Sequence, residues 1–140
     1  MSQENVSLVR GLYEYMPGVG EADPEAVDRV FADLYDEEFE LQLPSDYPEG
    51  EHVLRGREGM HAVVAMSRET WSELRFVPER FLDAHDCVVV FARLVAVGQE
   101  SGVPIERETN HVWTIRDGRV TSMRVYRDRS EALEAAGPGE

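Results

Sequence analysis

The stretch Arg107–Asp128, RETNHVWTIRDGRVTSMRVYRD, decides the fold. It reads as one long β-hairpin. Asp117-Gly118 suits a two-residue type I′ turn, which needs positive φ at both central positions. β-branched and aromatic residues flank it: Val112, Trp113, Thr114 and Ile115 before, Val120, Thr121, Val125 and Tyr126 after. Closing the ladder between Arg116 and Arg119 pairs Ile115 with Val120, Trp113 with Ser122, His111 with Arg124 and Thr109 with Tyr126. Side chains alternate along a strand, so these pairs share one face. The other face then carries Thr114 with Thr121, Val112 with Met123, Asn110 with Val125 and Glu108 with Arg127. Each face mixes large apolar groups with polar ones. Such a sheet is covered on both sides, one by the core or a pocket and the other by something else, such as a second subunit.

The chain of 140 residues predicts a single domain, 1–140. With 14 basic and 28 acidic residues its net charge is −14, which argues against nucleic acid and anionic membrane surfaces as partners. Self-repulsion that favours solubility accounts for the acidity without a ligand. Every basic residue is an arginine, so Schiff-base chemistry and a phosphate-loop lysine are excluded. The single Cys87 lies in an apolar run and reads as an inert thiol. MSQENVSLVR has neither a basic leader nor a long apolar stretch, so the expected location is the cytoplasm.

Ser2 caps a first helix with Val6, Val9, Tyr13 and Met16 at helical spacing, stopped by Pro17-Gly18. Asp23-Pro24 starts a second, with Val27, Val30, Phe31 and Leu34 on one side. Phe39, Leu41 and Leu43 alternate with polar residues as a short strand ended by Pro44, and the polar loop Ser45–Gly50 can lie over a pocket mouth. A third helix spans roughly Arg57 to Trp71. Phe76–Leu82 is a strand interrupted at Pro78, hence bulged or on an edge. A turn at Ala84-His85-Asp86 leads into Cys87–Val97, a central strand covered on both faces. After the hairpin, Asp128 and Glu131 fit a capping box for a short terminal helix ended by Gly137-Pro138. This order predicts an α+β domain, helices packed on one side of a curved antiparallel sheet.

His52, Glu58 and His61 suggest a metal only weakly, because the Glu-x-x-His pair lacks a second copy; none is expected. His111 beside Arg124 is a candidate base, since a neighbouring guanidinium lowers the imidazole pKa. The competing reading, an interface histidine among Trp113 and Tyr126, is preferred.

Several segments, VRGLYEYM, LRGREGM, FVPERFLDAHDCVVV and NHVWTIRDGRVTSMRVYRDRSEALEAAG, resemble the SnoaL-like branch of the nuclear transport factor 2-like (ketosteroid isomerase-like) superfamily. The resemblance implies a cone: a strongly bent antiparallel sheet with about three N-terminal helices on its concave side and a short C-terminal helix. It implies dimers formed through the convex face. Steroid isomerases of this group use an aspartate eight residues before the hairpin glycine, which maps to Asn110 here; their base maps to Gln42. Their helix-one tyrosine maps to Leu12, one place from Tyr13. The acid of the cyclases and epoxide hydrolases, seven residues after that glycine, maps to Val125. The mapping therefore implies a cavity face of Asn110, Val112, Met123 and Val125 with Gln42, and an interface of His111, Trp113, Arg124 and Tyr126.

The expected function is binding of a small apolar molecule, carbonyl compounds included, without cofactor. The alternative is an isomerase, cyclase or hydrolase whose acid–base groups have moved, with Tyr13 and Glu108 as candidates and Asp46 and Tyr47 behind them. A purely partner-binding module has only the acidic surface in its favour.

Overall fold

Asp117 and Gly118 take φ of 54° and 76°, the doubly positive geometry expected of the hairpin turn. It joins β5 (Pro104–Arg116) to β6 (Arg119–Tyr126). The computed structural model describes residues 2–15, 24–43, 53–84 and 86–137. The Pro17-Gly18 helix stop, the Asp23 cap, the Ser45–Gly50 loop with Asp46 and Tyr47, and His52, His85 and Pro138 lie outside these.

The hairpin register departs from the simple ladder. Ile115 pairs with Val120 as expected, but Thr114 pairs with Ser122, Trp113 with Met123, His111 with Val125 and Asn110 with Tyr126. Thr121 is the extra residue of a β-bulge, its Oγ1 donating to the Thr114 carbonyl at 3.3 Å. One inserted residue exchanges the faces of everything beyond it. His111 and Arg124 are therefore not partners. His111, Trp113, Met123 and Val125 share one face, while Asn110, Val112, Arg124 and Tyr126 share the other.

Among the described residues six strands run in the order β2-β1-β6-β5-β4-β3. They include β1 (Tyr35–Gln42), the three-residue β2 (Val53–Arg55), β3 (Trp71–Ala84) and β4 (Cys87–Gly98). β3 lies at an edge and shifts register between Pro78 and Arg80, both consistent with the proline. β2 is too short for alternation to announce it. The sheet is mixed, because β1 runs parallel to β6. Arg119 fixes that joint: its Nη1 donates to the carbonyls of Ala32 and Tyr35 at 2.8 and 3.0 Å, holding the start of β1 against the start of β6.

Helices α1 (Ser2–Tyr15), α2 (Pro24–Leu34) and α3 (Gly56–Thr70) cover one face. Val9, Leu12, Phe31, Tyr35, Phe39, Leu41, Val88, Val90, Trp113, Ile115 and Val120 form the core between them and the sheet. Gly59 lets α3 meet β2, since a Cβ there would stand 2.9 Å from the Leu54 carbonyl carbon. On the other face α4 (Arg129–Ala136) sets Ala132 against Val89, Phe91 and Val112. Asp128 occupies its N-cap, yet its side chain makes no capping bond. β4, apolar throughout its middle, is thus buried from both sides, as its sequence requires. Among the described residues no helix is long and apolar enough to cross a membrane.

Candidate functional site

A chain of polar groups runs through the apolar interior between α1 and β5. Indole nitrogen carries only a donor, so Trp113 Nε1 donates to Tyr13 Oη, at 2.9 Å. The Tyr13 hydroxyl proton then goes to His111 Nδ1, 2.5 Å away. With Nδ1 accepting, the imidazole proton is assigned to Nε2, which donates to Thr109 Oγ1 at 3.1 Å. Each member is buried, His111 and Trp113 to 1% exposure. α1 contributes Tyr13 at a core-facing position beside Val9 and Leu12. Strand alternation carries Thr109, His111 and Trp113 to the same face of β5.

Rings fix these groups from the sides. Phe81 and Trp113 stand edge-on to Tyr13 with centroids 5.9 and 5.7 Å away, and Phe76 stands edge-on to His111 at 5.2 Å. Burial lowers the His111 pKa from 6.5 to about 4. Burial also raises Tyr13 far above the ordinary phenol value; the Trp113 hydrogen bond opposes this and the nearby Tyr35 adds to it. The imidazole is neutral near pH 7, as expected of it, but the cause is desolvation and not Arg124. Both partners stay uncharged. With the phenol O–H given to His111 and the imidazole N–H to Thr109, the pair is neutral and poorly suited to deprotonating carbon.

The other expected site residues divide between the faces. Met123 and Val125 lie on the helix-covered side with the Tyr13 chain. Asn110, Val112 and Gln42 do not. Asn110 is fully buried on the outer face, where Nδ2 donates to the carbonyls of Tyr126 and Arg127 at 3.3 and 3.1 Å. Its Oδ1 has no partner among the described residues. Gln42 Nε2 bonds Glu40 Oε1 at 3.0 Å beside Arg55, and Val112 packs on Ala132. Glu108 is also on the outer face, 3.4 Å from Arg129. His111 and Trp113 face the core, so they are not surface interface groups; Arg124 and Tyr126 remain outside. His61 Nε2 bonds Asp28 Oδ1 at 2.8 Å, linking α3 to α2. No three metal-binding side chains gather among the described residues.

The pairing of Tyr13 with His111 was missed in the sequence, though a signal existed. A tyrosine on the apolar side of a helix needs a buried partner for its hydroxyl, and hairpin His111, Trp113 and Tyr126 are the polar aromatics available.

The model of the SnoaL-like domain matches residues 9–123, spanning α1 through most of β6. The chain belongs to the SnoaL-like domain family. Solved structures agree on the fold. A nuclear transport factor 2-like protein of unknown function from Burkholderia pseudomallei is 20% identical with a TM-score of 0.71, over 96% of this chain and 98% of that one. A proposed SnoaL-like polyketide cyclase from Jannaschia is 23% identical with a TM-score of 0.72, over 98% and 94%. A protein of ketosteroid isomerase-like fold from Catenulispora acidiphila, solved with trimethylamine, is 16% identical with a TM-score of 0.68, over 93% and 92%. No curated protein matches the chain. In this SnoaL-like chain the helices and the sheet's bend enclose the Tyr13–His111 pair.

Proposed function

We propose that this SnoaL-like chain binds a small, mainly apolar, carbonyl-bearing molecule between its helices and the concave face of the sheet. Tyr13 and His111 supply the polar contact. One observation carries the reading: Trp113, Tyr13, His111 and Thr109 form a hydrogen-bonded chain inside a core otherwise made of aliphatic side chains, Phe, Met123 and Tyr35. Burying polar groups is costly even when they are paired, so a purely structural core would favour apolar side chains here. A ligand carbonyl takes the Tyr13 O–H by displacing His111 Nδ1 as its acceptor, the role that sequence had given to Asn110. Calorimetry against a panel of steroid enones, aromatic ketones and terpene ketones tests the proposal. Binding that is lost in Tyr13→Phe supports it, and binding indifferent to that change overturns it.

An isomerase, cyclase or hydrolase is the second reading, favoured by the same Tyr13–His111 contact as relocated acid–base groups. Its test is turnover of steroid enones, polyketide esters and terpene epoxides. Enzyme-like rates that collapse in His111→Gln would establish it; the His111 pKa of about 4 is the reason binding is preferred.

For assembly, the proposal is a homodimer through the outer face, with Arg124 and Tyr126 in the contact. Sedimentation of Arg124→Glu as a monomer beside a dimeric wild type supports it, and a monomeric wild type overturns it. The absence of nucleic-acid and membrane partners and a cytoplasmic location complete the reading, supported by the −14 charge.

A further inference from the structure

We propose that Arg10 anchors the carboxylate of the bound molecule, so that the ligand class is a small amphipathic organic acid. The inference rests on the concave-face reading above and deepens it. Arg10 lies one helical turn before Tyr13 on α1. Its guanidinium carbon sits over the ring of Phe81, 4.5 Å from the centroid. The Phe81 ring in turn meets Tyr13 edge-on. Guanidinium, benzyl ring and buried phenol thus form a graded path from solvent to the Tyr13–His111 pair.

Among the described residues Arg10 shares with Arg29, Arg75, Arg80, Arg107 and Arg116 the lack of a carboxylate within 4.0 Å, and of these it is the one that sits over an aromatic ring. Arg55, Arg57, Arg93 and Arg129 each lie within 4.0 Å of a carboxylate. Among the described residues no carboxylate comes that close to Arg10, although Glu14 follows it by one turn and the chain carries 28 acids. Sitting over an aromatic face leaves the in-plane N–H edge of a guanidinium open, and that edge matches a carboxylate through two parallel bonds. The −14 charge repels free anions at a distance, so an acid is retained here by contact and not by steering. On this proposal an aromatic or alicyclic body lies beside Phe76 and Phe81, with its acid group at Arg10.

The test compares 2-naphthylacetate with its primary amide, 2-naphthylacetamide, by calorimetry on the full chain at pH 7. A charge-assisted bond supplies enough to separate them about tenfold in favour of the acid. Arg10→Gln removes that preference by weakening the acid about tenfold and the amide less than twofold, and Arg10→Lys restores part of it. Tyr13→Phe weakens both compounds. Equal affinities in the wild type, or equal losses in Arg10→Gln, overturn the role of Arg10 and leave the concave-face site standing. Failure of both compounds to bind overturns the site itself, and the inference with it. Arg10 is exposed, so its variants keep the wild-type circular dichroism and melting curve.

Discussion

Tyr13 and His111, 98 positions apart in the chain, share a hydrogen bond whose phenol also accepts from Trp113. Removing the hydroxyl strands two buried groups at once, an indole N–H and an imidazole nitrogen. Leaving a buried polar group unpaired costs about 1–3 kcal/mol, so Tyr13→Phe should destabilise the fold by roughly 2–4 kcal/mol. Urea unfolding measures it. A loss below about 1 kcal/mol would mean that water replaces the hydroxyl.

His111 makes stability depend on pH in a defined direction. Its folded pKa, about 4, lies below its ordinary 6.5, so the unfolded state takes the proton first. The contribution is whole above pH 6.5 and is lost as pH falls towards 4. The loss amounts to about 2 kcal/mol by pH 5 and roughly 3 kcal/mol when complete. Carboxylates titrate mostly lower, so the window from pH 7 to 5 belongs to the four histidines, and comparison with a His111 variant separates His111 from the other three. His111→Gln should flatten the unfolding free energy across that window, and an unchanged slope would place the proton elsewhere.

The bulge makes two neighbouring deletions behave oppositely. Removing Thr121 leaves Val120, Met123 and Val125 on the core face in an unbroken ladder, at the expense of one hydrogen bond worth about 1 kcal/mol. Removing Arg124 admits no register that keeps all three inside. Deletion of Thr121 should therefore retain a cooperative thermal transition, and deletion of Arg124 should abolish it. Identical behaviour of the two would show the bulge to be misplaced.

Gly59 is a steric requirement of the α3–β2 contact. Gly59→Ala forces its new Cβ against the Leu54 backbone, which has no flexible end to yield. Overpacking of this kind costs about 1–3 kcal/mol. Chemical denaturation should detect it, in contrast with Gly11→Ala, where a Cβ meets nothing within 4 Å and helix propensity improves.

Much of the fold was legible because its signals are local. The Asp117-Gly118 turn, the edge position of β3 around Pro78, the doubly buried β4 and all four helices follow from turn chemistry and periodicity. The faces of β6 did not follow, since strict alternation was carried through Thr121. Yet apolar residues fall at 120, 123 and 125, a spacing of three and then two. That phase break marks an inserted residue, and reading it would have placed Met123 and Val125 beside Trp113. The family mapping met the same limit, because counting positions from the hairpin glycine takes no account of a bulge. Asn110 fell outside the candidate site for a different reason. A buried amide can be consumed by backbone carbonyls of its own hairpin, and nothing in a residue's type reveals which acceptor claims it.

The parallel joint of β1 with β6 has a consequence for synthesis. Tyr35 lies beside Val120, and Tyr13 waits for His111 and Trp113, so the first wall of the interior finds its partners only in the last quarter of the chain. Contacts of such long range slow folding and leave apolar surface uncovered meanwhile. A nascent chain that has emerged only as far as β4 carries α1 to α3 and the β3–β4 pair, with Phe81 beside Tyr13 but neither His111 nor Trp113 to bond its hydroxyl. The interior closes only when β5 and β6 emerge to join β1 to β4.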